Sequence, residues 1–142
     1  MIPEEVIPSP QEIKKALEIA NEHLQAAEVL LRKELFRDAV SRAYYAFLVA
    51  ASAALLSKGL FAKTHAGVIT LFGQYFVKPG LLETKFARFF KEMKNAREEA
   101  DYEWMKEFSQ ETAEHAIATA KEFVKAVENI LAPRIAKQPH EL

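Results

Sequence analysis

The side chain whose position most favours chemistry is Arg97, because it lies among apolar residues on one face of a predicted helix. Spacings of three and four residues define this face, which comprises Phe86, Phe90, Met93, Arg97, Ala100 and Trp104. An arginine that faces the interior of a protein needs a charged partner or a ligand. Asp101 follows one helical turn later, within reach of Arg97. Two interpretations are therefore open: a structural ion pair with Asp101, or a site where Arg97 binds a phosphate or stabilises developing negative charge.

Two further polar residues flank Arg97 in the segment 95–102. Tyr102 follows Arg97 by five residues, so in an uninterrupted helix it points roughly 140° away from Arg97. The two side chains can meet one ligand only if the helix bends or a second subunit contributes. Asn95 and Tyr102 are seven residues apart and share a face.

His65 is the histidine with the most suggestive neighbours, because it follows Lys63 and Thr64 at a predicted helix start. One interpretation is an ordinary surface residue. The other is phosphate contact or acid–base catalysis, because an imidazole titrates near neutral pH and a helix N-terminus favours anions. The histidines show no metal-binding spacing, and there is no glycine-rich phosphate loop. We therefore predict no metal site and no cofactor.

The elements that position these residues are predicted to be helices, because no segment alternates with period two and the glycines fall only between residues 59 and 80. The predicted helices run from a capping box at Ser9 to about 32–34, from about 37 to 58, from a Thr64 cap towards a turn at 78–80, from about 82 to 106, and from a Ser109 cap to Pro133. Four long helices and one short helix predict an all-α, antiparallel up-down bundle over residues 10–131. Residues 1–9 are interpreted as an N-terminal extension and 132–142 as a C-terminal tail.

The second predicted helix is apolar on most sides, which indicates a central, buried position. A stripe of small residues permits close approach of its neighbours: Ala39, Ala43, Ala46, Ala50 and Ala54. Tyr44 and Tyr45 bring hydroxyl groups into this environment, and a buried hydroxyl needs a hydrogen-bond partner. The serines of this helix, Ser41 among them, are interpreted as small packing residues.

The composition is typical of one globular domain, with 142 residues of which 50% are hydrophobic and 27% charged. The absence of cysteine excludes disulfides and thiolate metal sites. The N-terminus lacks the pattern of a signal peptide, and the apolar run 43–56 is too short to span a bilayer, so we predict a cytoplasmic location without membrane contact.

The charges are segregated along the chain. Residues 31–94 carry eleven Lys and Arg against four Asp and Glu, a balance of +7, and the remainder carries eight against sixteen, a balance of −8. This segregation favours either a surface for an anionic ligand or partner, or two sets of charges that interleave in space.

Four segments together resemble the HEPN-domain family, and the resemblance extends over about residues 10–131. They are FRDAVSRAYYA (36–46), KTHAG (63–67), NAREEADY (95–102) and AKEFV (120–124). The resemblance is greatest to the compact prokaryotic branch of small HEPN proteins. It implies a dimeric helical bundle that acts on RNA, either as a metal-independent endoribonuclease or as an RNA-binding relative. It also implies a toxin paired with a minimal nucleotidyltransferase antitoxin.

Site residues can be carried over from this resemblance one by one. Arg97 matches the family arginine, and Asn95 suits the polar residue that often precedes it. Active members have a histidine four to six residues after the arginine, where this chain has Tyr102. The first hypothesis is an endoribonuclease toxin with Arg97, Asp101 and Tyr102 as catalytic candidates, and with Asn95, His65, Lys63 and Arg42 as candidates for binding RNA or nucleotide. The alternative is a non-catalytic HEPN module that binds nucleotide, RNA or a nucleotidyltransferase partner.

Overall fold

The structure, a computed structural model, describes residues 9–136. Within that range it contains no strand and five α-helices: α1 (Pro10–Arg32), α2 (Phe36–Leu56), α3 (His65–Phe72), α4 (Lys85–Tyr102) and α5 (Gln110–Ala136). A π-helical turn, Gly73–Val77, continues α3. The prediction of an all-α bundle with four long helices and one short helix is confirmed. The interpretations given for residues 1–8 and 137–142 lie outside the described residues.

The predicted starts of α1 and α3 are confirmed by side-chain caps. The Ser9 hydroxyl accepts a hydrogen bond from the Glu12 amide at 3.3 Å, and the Glu12 carboxylate accepts one from the Ser9 amide at 2.8 Å. The Thr64 hydroxyl accepts from the Gly67 amide at 2.9 Å. Each bond satisfies a backbone donor that has no partner inside its helix.

Helix α2 is the centre of the bundle and packs against α1, α3, α4 and α5. Its predicted alanine stripe is fully buried. The ring of Phe47 stacks on Phe123 of α5, with centroids 3.8 Å apart. At 21 residues α2 is long and apolar enough to cross a membrane by those two criteria, but most of it is buried inside the bundle. The predicted central, buried position of this helix is confirmed.

The charged segments interleave at several contacts. Lys85, from the basic segment, pairs with Glu122 of α5, and the hydrogen bond to that carboxylate raises the pKa of Lys85. Lys94 pairs with Glu98 at 3.1 Å. In this part of the basic segment, the two sets of charges therefore interleave in space.

Two helix ends differ from their predicted positions. Helix α4 ends at Tyr102, so Trp104 is not part of its apolar face and is 86% exposed. Helix α5 passes Pro133 and extends to Ala136, the last residue that the structure describes. A proline removes one intrahelical donor, and the helix continues beyond that position.

The end of α4 is fixed by Arg37, in the first turn of α2. Its guanidinium donates hydrogen bonds to the carbonyl oxygens of Ala100 at 2.6 Å and Glu103 at 3.2 Å, and to that of Lys106. Its Cζ also lies 4.9 Å from the ring centroid of Phe108. Carbonyl groups at a helix C-terminus have no hydrogen-bond partners within the helix. Arg37 supplies the missing donors and holds the following loop.

Replacing Arg37 with alanine is expected to lower the free energy of unfolding by about 2 kcal/mol, because hydrogen bonds to a charged donor are lost and the carbonyl groups lose their partner. Chemical denaturation monitored by circular dichroism measures this change. Arg32→Ala, at an exposed position at the end of α1, is the matched control and should change stability much less. Equal stability of the two variants would contradict the role given to Arg37.

Candidate functional site

Arg97 lies on the face of α4 that packs against α2, and its side chain is 17% exposed. Its Nη2 donates a hydrogen bond to the Tyr45 hydroxyl at 3.1 Å. Its Nε lies 2.8 Å from Oδ2 of Asp101. Burial alone would lower the pKa of Arg97, but the hydrogen bond to Tyr45 and the charge of Asp101 raise it on balance. The guanidinium is therefore held in its charged form.

The contact between Arg97 and Asp101 is an ion pair without an aligned hydrogen bond. Although the two charged groups are close, the buried Nε has no hydrogen-bond partner among the described residues. Asp101 is held from the other side by Ser41 of α2, whose hydroxyl donates to Oδ1 at 3.1 Å. The aspartate thus compensates the charge of Arg97 without satisfying its Nε–H group.

Two tyrosine rings of α2 border the guanidinium. Its Cζ lies 5.8 Å from the ring centroid of Tyr44 and 5.6 Å from that of Tyr45, within the range of cation–π attraction. Tyr44 is fully buried, and burial raises its pKa to about 12. Its hydroxyl therefore stays protonated at neutral pH.

Each tyrosine connects Arg97 to a histidine from another helix. The Tyr44 hydroxyl lies 3.2 Å from Nδ1 of His65, the first residue of α3. The ring of Tyr45 lies 6.0 Å from that of His23 on α1, measured between centroids. We call this group the Arg97 cluster. It comprises His23, Ser41, Arg42, Tyr44, Tyr45, His65, Arg97 and Asp101.

The tautomer of His23 follows from its partner. Nη1 of Arg42 lies 3.3 Å from Nδ1 of His23, and a guanidinium can only donate. Nδ1 must therefore accept, which places the imidazole proton on Nε2. Burial, and next the positive charge of Arg42, lower the pKa of His23, against a small opposing effect of Glu22.

The structure brings together some of the residues selected from the sequence. Arg97 and Asp101 are in contact. His65 joins them through Tyr44, and Arg42 joins them through His23. Tyr102 is 71% exposed. The side chains of Asn95 and Lys63 are also exposed, and neither has a hydrogen bond or ion pair to the Arg97 cluster within the described residues.

Four members of the cluster were not selected as site residues from the sequence. Tyr44 and Tyr45 gave a signal, since their buried hydroxyls needed partners. Ser41 was interpreted as a packing residue, and its bond to Asp101 corrects this interpretation. Nothing in the local sequence distinguished His23, because its neighbours in the cluster come from other helices.

A metal site would need several ligating side chains close together. Among residues 9–136 no group of three or more histidine, aspartate or glutamate side chains could hold a metal ion. Arg97 and Arg42 bring positive charge to the site, and Asp101 compensates part of it.

Comparison with known proteins places this chain in a family. The profile of the HEPN domain matches residues 13–130. The chain belongs to the HEPN family. It is 45% identical over 121 residues to "Putative toxin MJ0605" of Methanocaldococcus jannaschii, a match that covers 85% of this chain and 90% of the relative. It is 37% identical to a "UPF0332 protein" of Thermotoga maritima, over 79% of this chain and 85% of the relative. A second protein of M. jannaschii, "Putative toxin MJ0142", is 32% identical over 85% of this chain and 82% of its own length.

Removing the hydroxyl of Tyr45 should destabilise this HEPN domain, because Arg97 loses its hydrogen-bond acceptor in a partly buried position. We expect Tyr45→Phe to lower the free energy of unfolding by about 2 kcal/mol. Thermal and denaturant melts test this expectation. The control is Tyr75→Phe, at a tyrosine that is 38% exposed and has no hydrogen bond to the described residues. A loss of the same size in the control would argue against a specific bond to Arg97.

The lowered pKa of His23 predicts a pH dependence of stability. The folded protein resists protonation of His23 more than the unfolded chain does, whose pKa is near the ordinary 6.5. His23 therefore contributes its full stabilisation of the folded protein above pH 6.5. This contribution is lost as the pH falls through the lower pKa that His23 has in the folded state. Melting temperatures from about pH 7 to about pH 5 should fall less steeply in His23→Gln than in the wild type. Parallel curves for the two proteins would contradict this linkage.

Proposed function

We propose that this HEPN protein binds RNA through Arg97 and acts as the endoribonuclease toxin of a toxin–antitoxin pair. The observation that supports this most is the state of the Arg97 guanidinium. It is charged and partly exposed, and only one of its N–H groups has a hydrogen-bond partner among the described residues. Phosphate oxygens are suited to the remaining donors, because arginine binds phosphate with two parallel hydrogen bonds.

In this proposal Arg97 binds the scissile phosphate and stabilises the charge that develops on it during cleavage. Asp101, fixed by Ser41, positions the guanidinium. The exposed side chains of Asn95, Lys63 and Tyr102 are free to contact RNA that approaches Arg97. Arg42 adds a second positive charge near the site and extends the attraction for a phosphate backbone.

The toxin assignment draws on the names of two relatives, each called a putative toxin. By analogy, the partner is a minimal nucleotidyltransferase that acts as the antitoxin, and the protein works in the cytoplasm as a homodimer. Large exposed side chains at the end of α4 and in the following loop suit such contacts: Tyr102, Trp104 and Met105 are 71%, 86% and 95% exposed.

A second candidate function is a non-catalytic module that binds nucleotide, RNA or a nucleotidyltransferase. The observation in its favour is Tyr102, which occupies the position where active relatives have a histidine and points into solvent. A phenol hydroxyl is a poor general base near neutral pH.

Incubation of the purified protein with RNA distinguishes these functions. We expect cleavage by the wild type and a loss of at least about 100-fold in Arg97→Ala, as for other removed transition-state donors. Circular dichroism shows whether the variant stays folded. Arg88→Ala, at a side chain that is 67% exposed, is the control and should cleave normally.

RNA that stays intact after prolonged incubation with the wild type would refute the ribonuclease proposal. If nucleotide or RNA then raises the melting temperature of the wild type but not of Arg97→Ala, the non-catalytic function is supported instead. No shift with nucleotide, RNA or a nucleotidyltransferase would contradict both functions.

A further inference from the structure

His65 lies one aromatic ring away from Arg97. Tyr44 separates them, with the Arg97 Cζ 5.8 Å from its ring centroid and Nδ1 of His65 3.2 Å from its hydroxyl oxygen. Both side chains are partly exposed. Because Tyr44 is fully buried, a ligand reaches Arg97 and His65 by their own exposed atoms and not by contact with the Tyr44 ring.

The hydrogen bond to Tyr44 orients the His65 ring. Among residues 9–136, Nδ1 is the only ring nitrogen of His65 with a hydrogen-bond partner. The Tyr44 hydroxyl can accept a hydrogen bond from Nδ1–H, which leaves the lone pair of Nε2 available. Because burial raises the pKa of Tyr44 to about 12, this hydroxyl stays protonated near neutral pH. Tyr44 can thus hold the ring in one orientation while His65 gains or loses a proton.

His23 is not equivalent to His65, although it also adjoins the cluster. Its Nδ1 accepts from Arg42, so Nε2 carries the proton. In that state the imidazole offers a donor and no free lone pair. His65 is therefore the better base of the two histidines that border Arg97.

We propose that His65, oriented by Tyr44, is the general base for RNA cleavage at Arg97, with both residues supplied by one chain. This inference rests on the proposed ribonuclease function and names the base for it. It accounts for a site that has Tyr102 where active relatives have a histidine: the base comes from α3 instead of α4.

The reaction balances without a cofactor. Nε2 of His65 takes the proton of a ribose 2′-hydroxyl while O2′ attacks the phosphorus atom bound at Arg97. The bond from phosphorus to O5′ breaks, and O5′ leaves with the electron pair and takes a proton from water. The hydroxide that remains takes the proton from His65 and restores the base. The products are a 2′,3′-cyclic phosphate and a 5′-hydroxyl end.

The test compares His65→Ala with Arg97→Ala in the full-length protein, using a labelled RNA oligonucleotide. His65→Ala should lower kcat by about 10²- to 10⁴-fold, as expected for loss of a general base, and should leave the Kd for RNA unchanged. Added imidazole should restore part of its activity, because the truncated side chain leaves room for it. Arg97→Ala should lose both affinity and activity, without rescue. His115→Ala, at a side chain that is 69% exposed, is the histidine control and should behave as the wild type.

Tyr44→Phe tests the positioning role. It should reduce cleavage in the wild-type background but cause no further loss in His65→Ala assayed with imidazole, because Tyr44 acts only through His65. An equal loss in both backgrounds would show that Tyr44 acts in another way. An equimolar mixture of His65→Ala and Arg97→Ala should stay inactive; restored cleavage would show that the two residues act from different chains and would overturn the single-chain site.

The failures of this inference and of the ribonuclease function are distinguishable. Wild-type protein that does not cleave RNA overturns both. Wild-type cleavage that is lost in Arg97→Ala but retained in His65→Ala overturns the inference alone. Products that lack a 2′,3′-cyclic phosphate end exclude the proposed step even if His65→Ala is inactive.

Discussion

Burial of α2 is the constraint on which the rest of the structure depends. This helix packs against all four others, and its alanines allow their backbones to approach closely. Polar groups on such a helix cannot rely on water, so each needs a partner from a neighbour. Its second half meets this demand by being apolar. Its first half meets it with hydrogen bonds, and these bonds build the candidate site.

The bonds made by the first half of α2 reach several neighbouring elements. Arg37 binds carbonyl groups at the end of α4, Ser41 binds Asp101, Tyr44 contacts His65 and Tyr45 accepts from Arg97. The hydrogen bonds that satisfy the polar groups of α2 therefore also fix the geometry around Arg97. A substitution in this half of α2 affects folding and site geometry together.

Asp101 sets a limit on how strongly Arg97 can attract an anion. The carboxylate lies 2.8 Å from Nε and is itself held by Ser41. It reduces the cost of keeping a guanidinium partly buried, but it also opposes the approach of a second negative group. The pair thus favours a ligand that can use the remaining donors of Arg97 without displacing Asp101, such as a phosphate bound on the side of Nη1 and Nη2.

The sequence predicted those features that depend on neighbours along the chain. The caps at Ser9 and Thr64, the all-α class and the inward position of Arg97 follow from local pattern. The end of α4 could not be predicted in this way, because Arg37 that fixes it lies more than sixty residues earlier. His23 and the role of Ser41 were missed for the same reason: their partners belong to other helices. Sequence spacing determines which residues share a helix face, but not which faces meet.

The loop that Arg37 holds contains the only tryptophan of the chain. The backbone of this loop is anchored by the guanidinium, whereas the Trp104 indole projects into solvent. The protein therefore has a single indole fluorophore at a defined position, two residues beyond the end of α4. Its emission reports the polarity at that end of the bundle, without a label, and distinguishes an indole in water from one that another molecule has covered.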